Sequence, residues 1–109
     1  MKWTESVELE LQRAREAQRQ GNSGKVRTSA RRAAGLALEE LQRRFPTRNF
    51  GGDFMSRLRS LAVDPAVPRP VREAADRLQA RLTPDFASRS VDPVDDAEII
   101  LAYIVSLLH

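Results

Sequence analysis

The sequence predicts an all-α fold, an up-and-down bundle of four to five helices in a single domain spanning residues 1–109. Apolar residues recur at spacings of three and four along five segments, and no segment shows the alternation typical of a half-buried strand. Short stretches rich in glycine, proline and other turn formers separate these segments. The chain is long enough to bury one hydrophobic core without metal or disulfide crosslinks.

The first two predicted helices form an antiparallel hairpin. The first runs from about Glu5 to Gln20, and the turn at residues 21–24 supplies a helix stop and an N-cap. The second covers Lys25 to Phe45 and ends before Pro46, which disfavours helical backbone in the preceding residue. Its small and apolar side chains gather on one face of a helical wheel, which we expect to form part of the core: Val26, Ala30, Ala33, Ala34, Ala37, Leu38, Leu41 and Phe45.

The third and fourth predicted helices follow two breaks in the chain. Asp53 is placed to cap a short amphipathic helix, and Pro70 is predicted at the first helical position of the next one. The fourth helix continues to Leu82. The connection from Thr83 to Asp92 that follows has no periodic pattern.

The last predicted helix begins at Asp92 and Pro93, a capping residue followed by a residue with a preset helical dihedral angle. Asp95 and Asp96 in its first turn suit the positive end of the helix dipole. Residues 99–108 are apolar nearly all round, which indicates burial on more than one side. We expect this helix either at the centre of the bundle or against a second subunit, and therefore predict a homodimer.

Composition excludes several classes of function. Cysteine is absent and the only histidine is His109, so disulfides, cysteine-ligated zinc and nucleophile–histidine systems lack their residues. The acidic residues around Asp95 are explained by helix capping, and we predict no metal and no cofactor. No apolar run approaches the roughly 20 residues that cross a bilayer, and no signal peptide is visible. We therefore expect a cytoplasmic, non-enzymatic protein that does not bind membranes.

Positive charge is concentrated in the first half of the chain. Residues 1–50 carry eleven Lys and Arg against six Glu, whereas residues 51–109 carry seven Arg against nine Asp and Glu. Sixteen of the eighteen basic residues are arginines, which suits bidentate contacts to phosphate but is also what a GC-rich genome produces. The candidate ligand- or partner-binding residues are Thr28, Arg31, Arg32, Gly35, Arg43 and Arg81.

Three interpretations of these residues remain open. Gly35 lies opposite the alanine face and lowers helix propensity by about 1 kcal/mol relative to Ala, so we expect it to leave room for a protein partner. The arginines of the second and fourth helices could instead bind RNA or a nucleotide through phosphates. Glu39 and Glu40 lie among these arginines, and few aromatic residues are near enough to stack bases. An enzyme would need a carboxylate and arginine site around Asp85, Arg81 and Arg89.

The order of segments resembles a known family. The segments KVRTSARRAAGLALEEL, DFMSRLRSLA, REAADRLQARLTPDF and DPVDDAEIILAYIV follow one another as in HEPN domains, small prokaryotic helical domains linked to nucleotide or RNA chemistry. The resemblance spans about residues 5 to 107 and implies a helical bundle that is commonly a homodimer. Many members are metal-independent ribonucleases that use an Arg and a His with four to six residues between them.

This chain departs from that motif. His109 would need an arginine at position 102, 103 or 104, where Ala102, Tyr103 and Ile104 stand. No catalytic residue carries over, so the resemblance implies a non-catalytic member. The sequence therefore predicts a helical binding module, with nucleic-acid or nucleotide binding as the alternative.

Overall fold

The computed structural model describes residues 2–81 and 89–109, and these residues form five helices and no strand. The helices are α1 (Trp3–Arg19), α2 (Ser23–Arg44), α3 (Phe54–Val63), α4 (Arg69–Gln79) and α5 (Pro93–Leu108). The radius of gyration over the Cα atoms of the chain is 13.1 Å. The predicted all-α bundle is confirmed. Within the described ranges, no helix has the length and apolar character needed to cross a membrane.

Side-chain caps fix the starts of three helices. Asp53 accepts a hydrogen bond from the Ser56 N–H at 2.9 Å, and Asp92 accepts one from the Asp95 N–H at 3.1 Å. Both capping residues were predicted from the sequence and are confirmed. Asn22 caps α2 in the same way, and the preceding Gly21 takes a φ of 72°, a left-handed conformation that glycine adopts without strain. The fourth helix was wrongly predicted to continue to Leu82, because α4 ends at Gln79 and Ala80 takes an extended backbone conformation.

Helix α2 contacts α1, α3, α4 and α5, and packs most extensively against α1 and α5. The four alanines of its predicted core face have no exposed surface: Ala30, Ala33, Ala34 and Ala37. Small side chains of this kind allow neighbouring helix axes to come close. Helix α5 packs on both α2 and α4, but only Ile100 and Ile104 are buried among residues 99–108, so the predicted burial of this segment on more than one side is wrong. Phe45 was wrongly predicted to be core, because α2 ends at Arg44 and Phe45 is 44% exposed.

Helices α3 and α4 form a hairpin whose open end lies on α2. The ring of Phe54, the first residue of α3, covers Gly35, and the last carbonyls of α4 accept hydrogen bonds from Arg31. A partly buried ion pair holds α4 to α5: Arg77 Nη2 lies 2.7 Å from Asp96 Oδ1, and Asp96 is only 3% exposed, whereas the Arg77 side chain is 39% exposed. The hydroxyl of Ser90 also donates to Asp96, at 2.5 Å. These contacts place the start of α5 beside the N-terminal half of α2.

Candidate functional site

The structure separates the predicted binding residues instead of bringing all six together. Gly35 and Arg31 lie under the α3–α4 hairpin, and Arg43 lies near the C-terminal end of α2, beside Glu40. Thr28, Arg32 and Arg81 are exposed. The Thr28 hydroxyl donates to the Gly24 carbonyl one turn earlier, at 3.0 Å.

The space beside Gly35 is filled by the chain itself. Gly35 is buried, and a Cβ atom added to it would stand 2.6 Å from Cγ and 2.8 Å from Cβ of Phe54. The expectation that Gly35 leaves room for a protein partner is therefore wrong. The helical wheel placed Gly35 among polar residues and so suggested an exposed face. In the structure the α3–α4 hairpin, which starts nineteen residues later in the chain, covers that face of α2.

Arg31 serves the fold. Its Nε donates to the Leu78 carbonyl at 2.7 Å and its Nη2 donates to the Ala80 carbonyl at 3.2 Å, which satisfies backbone oxygens at the end of α4. Burial lowers the pKa of Arg31, and the nearby positive charge of Arg27 lowers it further. The guanidinium therefore fixes α4 on α2 while it adds charge to a region that is already positive.

Carboxylates of the C-terminal part of α2 neutralise the arginines around them. Glu40 binds Arg43 and lies 2.8 Å from Nε of Arg44, and Glu39 lies 3.7 Å from Nη1 of Arg57. Hydrogen bonds from Arg43, then from Arg44, lower the pKa of Glu40 although burial opposes the shift. Arg43 is therefore paired with a carboxylate of its own helix, although its side chain remains 69% exposed, and its prediction as a binding residue stays a prediction.

Four cations near the N-terminal half of α2 have no such partners. The side chains of Lys25, Arg27, Arg32 and Arg81 form no hydrogen bond or ion pair with the residues that the structure describes. Arg81 directly follows Ala80, whose carbonyl binds Arg31, so the end of α4 brings it to the α2 arginines. We call Lys25, Arg27, Arg31, Arg32 and Arg81 the basic cluster.

The α2 residues of the basic cluster have no counter-charge near them in the sequence, whereas Arg81 has Asp76 and Asp85 within five positions. No Asp or Glu stands between Glu16 and Glu39, and the first turn of α2 carries no acidic residue. Lys25 and Arg27 instead stand near the N-terminal end of a 22-residue helix, where the dipole is already positive. The cluster is therefore a surface whose electrostatic energy falls when an anion arrives.

A cavity of about 450 Å³ adjoins the basic cluster, between the α1–α2 turn and the start of α5. Arg27 belongs to both the cavity wall and the cluster. The wall includes apolar and polar side chains: Gln18, Val26, Arg27, Ser90, Val91 and Pro93. Sequence reasoning did not single out this cavity, because its walls come from segments more than sixty residues apart. Lys25 could have been identified from the absence of acidic residues around it.

Chemistry of other kinds has little support in the described residues. No group of three or more His, Asp or Glu there is arranged to hold a metal ion. Asp96 is paired with Arg77 and Ser90, so its carboxylate is committed to holding α5 in place. The alternative enzyme site cannot be assembled from the described residues, since Asp85 lies outside them.

Comparison with known proteins does not add to this evidence. No protein-family model, curated protein or solved structure matches the chain.

Proposed function

We propose that the chain is a non-enzymatic binding domain and that the basic cluster binds the phosphate backbone of nucleic acid. The observation that carries the proposal is the group of cations without carboxylate partners near the N-terminal end of α2. Elsewhere on the same helix, Glu40 holds two arginines at once. An unpaired arginine can displace a counterion condensed on a phosphate backbone, whereas an arginine already neutralised by a carboxylate brings less net positive charge to that exchange.

The arrangement fits a phosphate backbone better than a single small anion. Lys25 and Arg32 stand two helical turns apart on α2, which separates their Cα atoms by about 10 Å. A nucleic-acid strand offers repeated phosphates along such a surface, and an isolated phosphate does not. The proposal keeps the binding role predicted from the sequence and takes nucleic acid as the ligand. The resemblance to HEPN domains stays a prediction, and the proposal does not depend on it.

The experiment compares two double variants that change the net charge equally. Arg32→Gln with Arg81→Gln removes two unpaired cations, while Arg13→Gln with Arg69→Gln removes two exposed arginines that pair with Glu10 and Glu73. Binding of a fluorescent 20-nucleotide single-stranded RNA is measured between 25 and 200 mM salt. We expect the first double variant to lose at least tenfold in affinity at low salt and to reduce the salt slope by about 1.4.

The matched control should bind nearly as well as the unmodified protein. Equal losses in both double variants would mean that only net charge matters, which would contradict a defined site. The absence of salt-sensitive binding of RNA or DNA at low ionic strength would overturn the proposal altogether.

We also propose that the chain forms a homodimer, and a feature of α5 supports this second role. Val105 and Leu107 remain 38% and 37% exposed at the end of this apolar helix. A second copy packed along this end of α5 would cover Val105, which the helical period places on a different face from Leu107, without involving the basic cluster. Sedimentation at several concentrations should give a dimer mass that Val105→Lys reduces to the monomer mass, while Val63→Lys, at another exposed valine, leaves it unchanged. A monomer mass at high protein concentration would refute this role.

A further inference from the structure

We infer that the cavity beside Arg27 takes one unstacked base of a single-stranded nucleic acid whose phosphates lie on the basic cluster. This inference rests on the proposed function and specifies its ligand. Duplexes hide their bases in stacked pairs, whereas single strands can place a base in a pocket on the protein. The cavity and the cluster share Arg27, so one strand can contact both at once.

The walls of the cavity suit the face of a base. Val26 and Pro93 are buried and present apolar surface, and Val91 is 97% exposed although it is apolar. Two of the polar wall residues are already engaged, since Gln18 donates to Asp92 at 3.2 Å and Ser90 donates to Asp96. The volume of about 450 Å³ falls within the range of small-molecule sites and exceeds that of one base.

Arg27 supplies the group that distinguishes a base from a purely apolar ligand. Its guanidinium forms no hydrogen bond or ion pair with any described residue, and its Nη2 lies 3.9 Å from the position of a Cβ on Gly24. The charged plane therefore lies near the first turn of α2, at the edge of the cavity. Planar guanidinium groups stack on bases, and a lysine ammonium in the same place keeps the charge but loses the plane.

The test of this inference compares two RNA strands of equal length and equal charge, one with bases and one abasic throughout. Both strands offer the same phosphates to the basic cluster, and only the first offers a base to the cavity. We expect the protein to bind the strand with bases at least fivefold more tightly, which is the effect of one stacked base. Tight, equal binding of both strands would overturn the cavity inference and leave the proposed function intact. Binding of neither strand would refute the proposed function itself.

Matched variants assign the effect to the cavity. Arg27→Lys should reduce the preference for the strand with bases at least threefold, whereas Arg69→Lys, at an exposed arginine outside the basic cluster, should leave that preference unchanged. Val91→Ser should reduce the same preference, and Val63→Ser, at an exposed valine lining a different cavity, should not. Circular dichroism of each variant checks the fold. A preference for bases that survives both Arg27→Lys and Val91→Ser would place the base elsewhere and overturn the inference.

Discussion

The N-terminal and C-terminal halves of α2 both carry arginines, and the two halves use them differently. Near the C-terminal end, Glu40 on the same helix holds Arg43 and Arg44. Near the N-terminal end the sequence has no Asp or Glu between Glu16 and Glu39. Arg27 and Arg32 have no hydrogen-bond or ion-pair partner among the described residues. Arginine content alone is therefore a poor guide to a binding surface. The distribution of carboxylates around the arginines is the informative feature.

Between the two halves of α2 lies Gly35, where the absence of a side chain lets the Phe54 ring pack directly on the helix. Gly35→Ala should lower the free energy of unfolding by about 2 kcal/mol, because the added Cβ overlaps the Phe54 ring and the gain in helix propensity is smaller than the cost. Urea unfolding measures the change. Gly52→Ala is the control, since nothing lies within 4 Å of its added Cβ, and it should stay within about 0.5 kcal/mol. A stabilised Gly35→Ala would contradict the packing described.

Arg31 and Arg32 are adjacent in sequence and should respond differently to the same substitution. Arg31→Gln removes the donors to Leu78 and Ala80 and should cost about 1.5 kcal/mol of stability. Arg32→Gln removes no hydrogen bond within the described part of the chain and should change stability by less than about 0.5 kcal/mol. Chemical unfolding of both variants under identical conditions decides the point. Equal losses of stability would contradict the assignment of Arg31 to the fold and Arg32 to the binding surface.

Glu40 should give the C-terminal half a pH dependence of stability. Its pKa in the folded protein lies below the ordinary value of 4.5, so its contribution is present above that pH and is lost as the pH falls through the lower folded value. Glu40→Gln should therefore cost about 1 kcal/mol at pH 7, and the difference from the unmodified protein should shrink towards pH 3. Unfolding experiments at both pH values test this expectation. An equal difference between the two proteins at pH 7 and at pH 3 would contradict the pairing of Glu40 with Arg43 and Arg44.

Local patterns predicted much of the fold because the interactions behind them are local. The caps at Asp53 and Asp92 and the alanine face of α2 depend on residues within a few positions of one another. The pairing of Glu40 with Arg43 and Arg44 also follows from spacings of three and four, and could have been predicted. Predicting that ion pair would have distinguished Arg43 from the arginines that have no carboxylate partner.

The misassigned residues depend on contacts between distant parts of the chain. Periodicity placed Gly35 on a polar face, and only the position of Phe54 shows that this face is covered. Arg31 has no sequence signal for its role, because its acceptors lie 47 and 49 residues away. The cavity likewise needs α5 to return to the α1–α2 turn. Sequence patterns identify the arginines but do not show which of them already form hydrogen bonds or ion pairs within the protein.

The contrast between the two halves of α2 can be measured at the arginine side chains themselves. Single-stranded RNA is titrated into protein labelled with ¹⁵N, and the Nε–H signals of individual arginines are followed by NMR. We predict large chemical-shift changes for Arg27, Arg32 and Arg81, and small ones for Arg43 and Arg44. Shifts centred on Arg43 and Arg44, or of equal size at all five, would contradict the claim that unpaired cations form the binding surface.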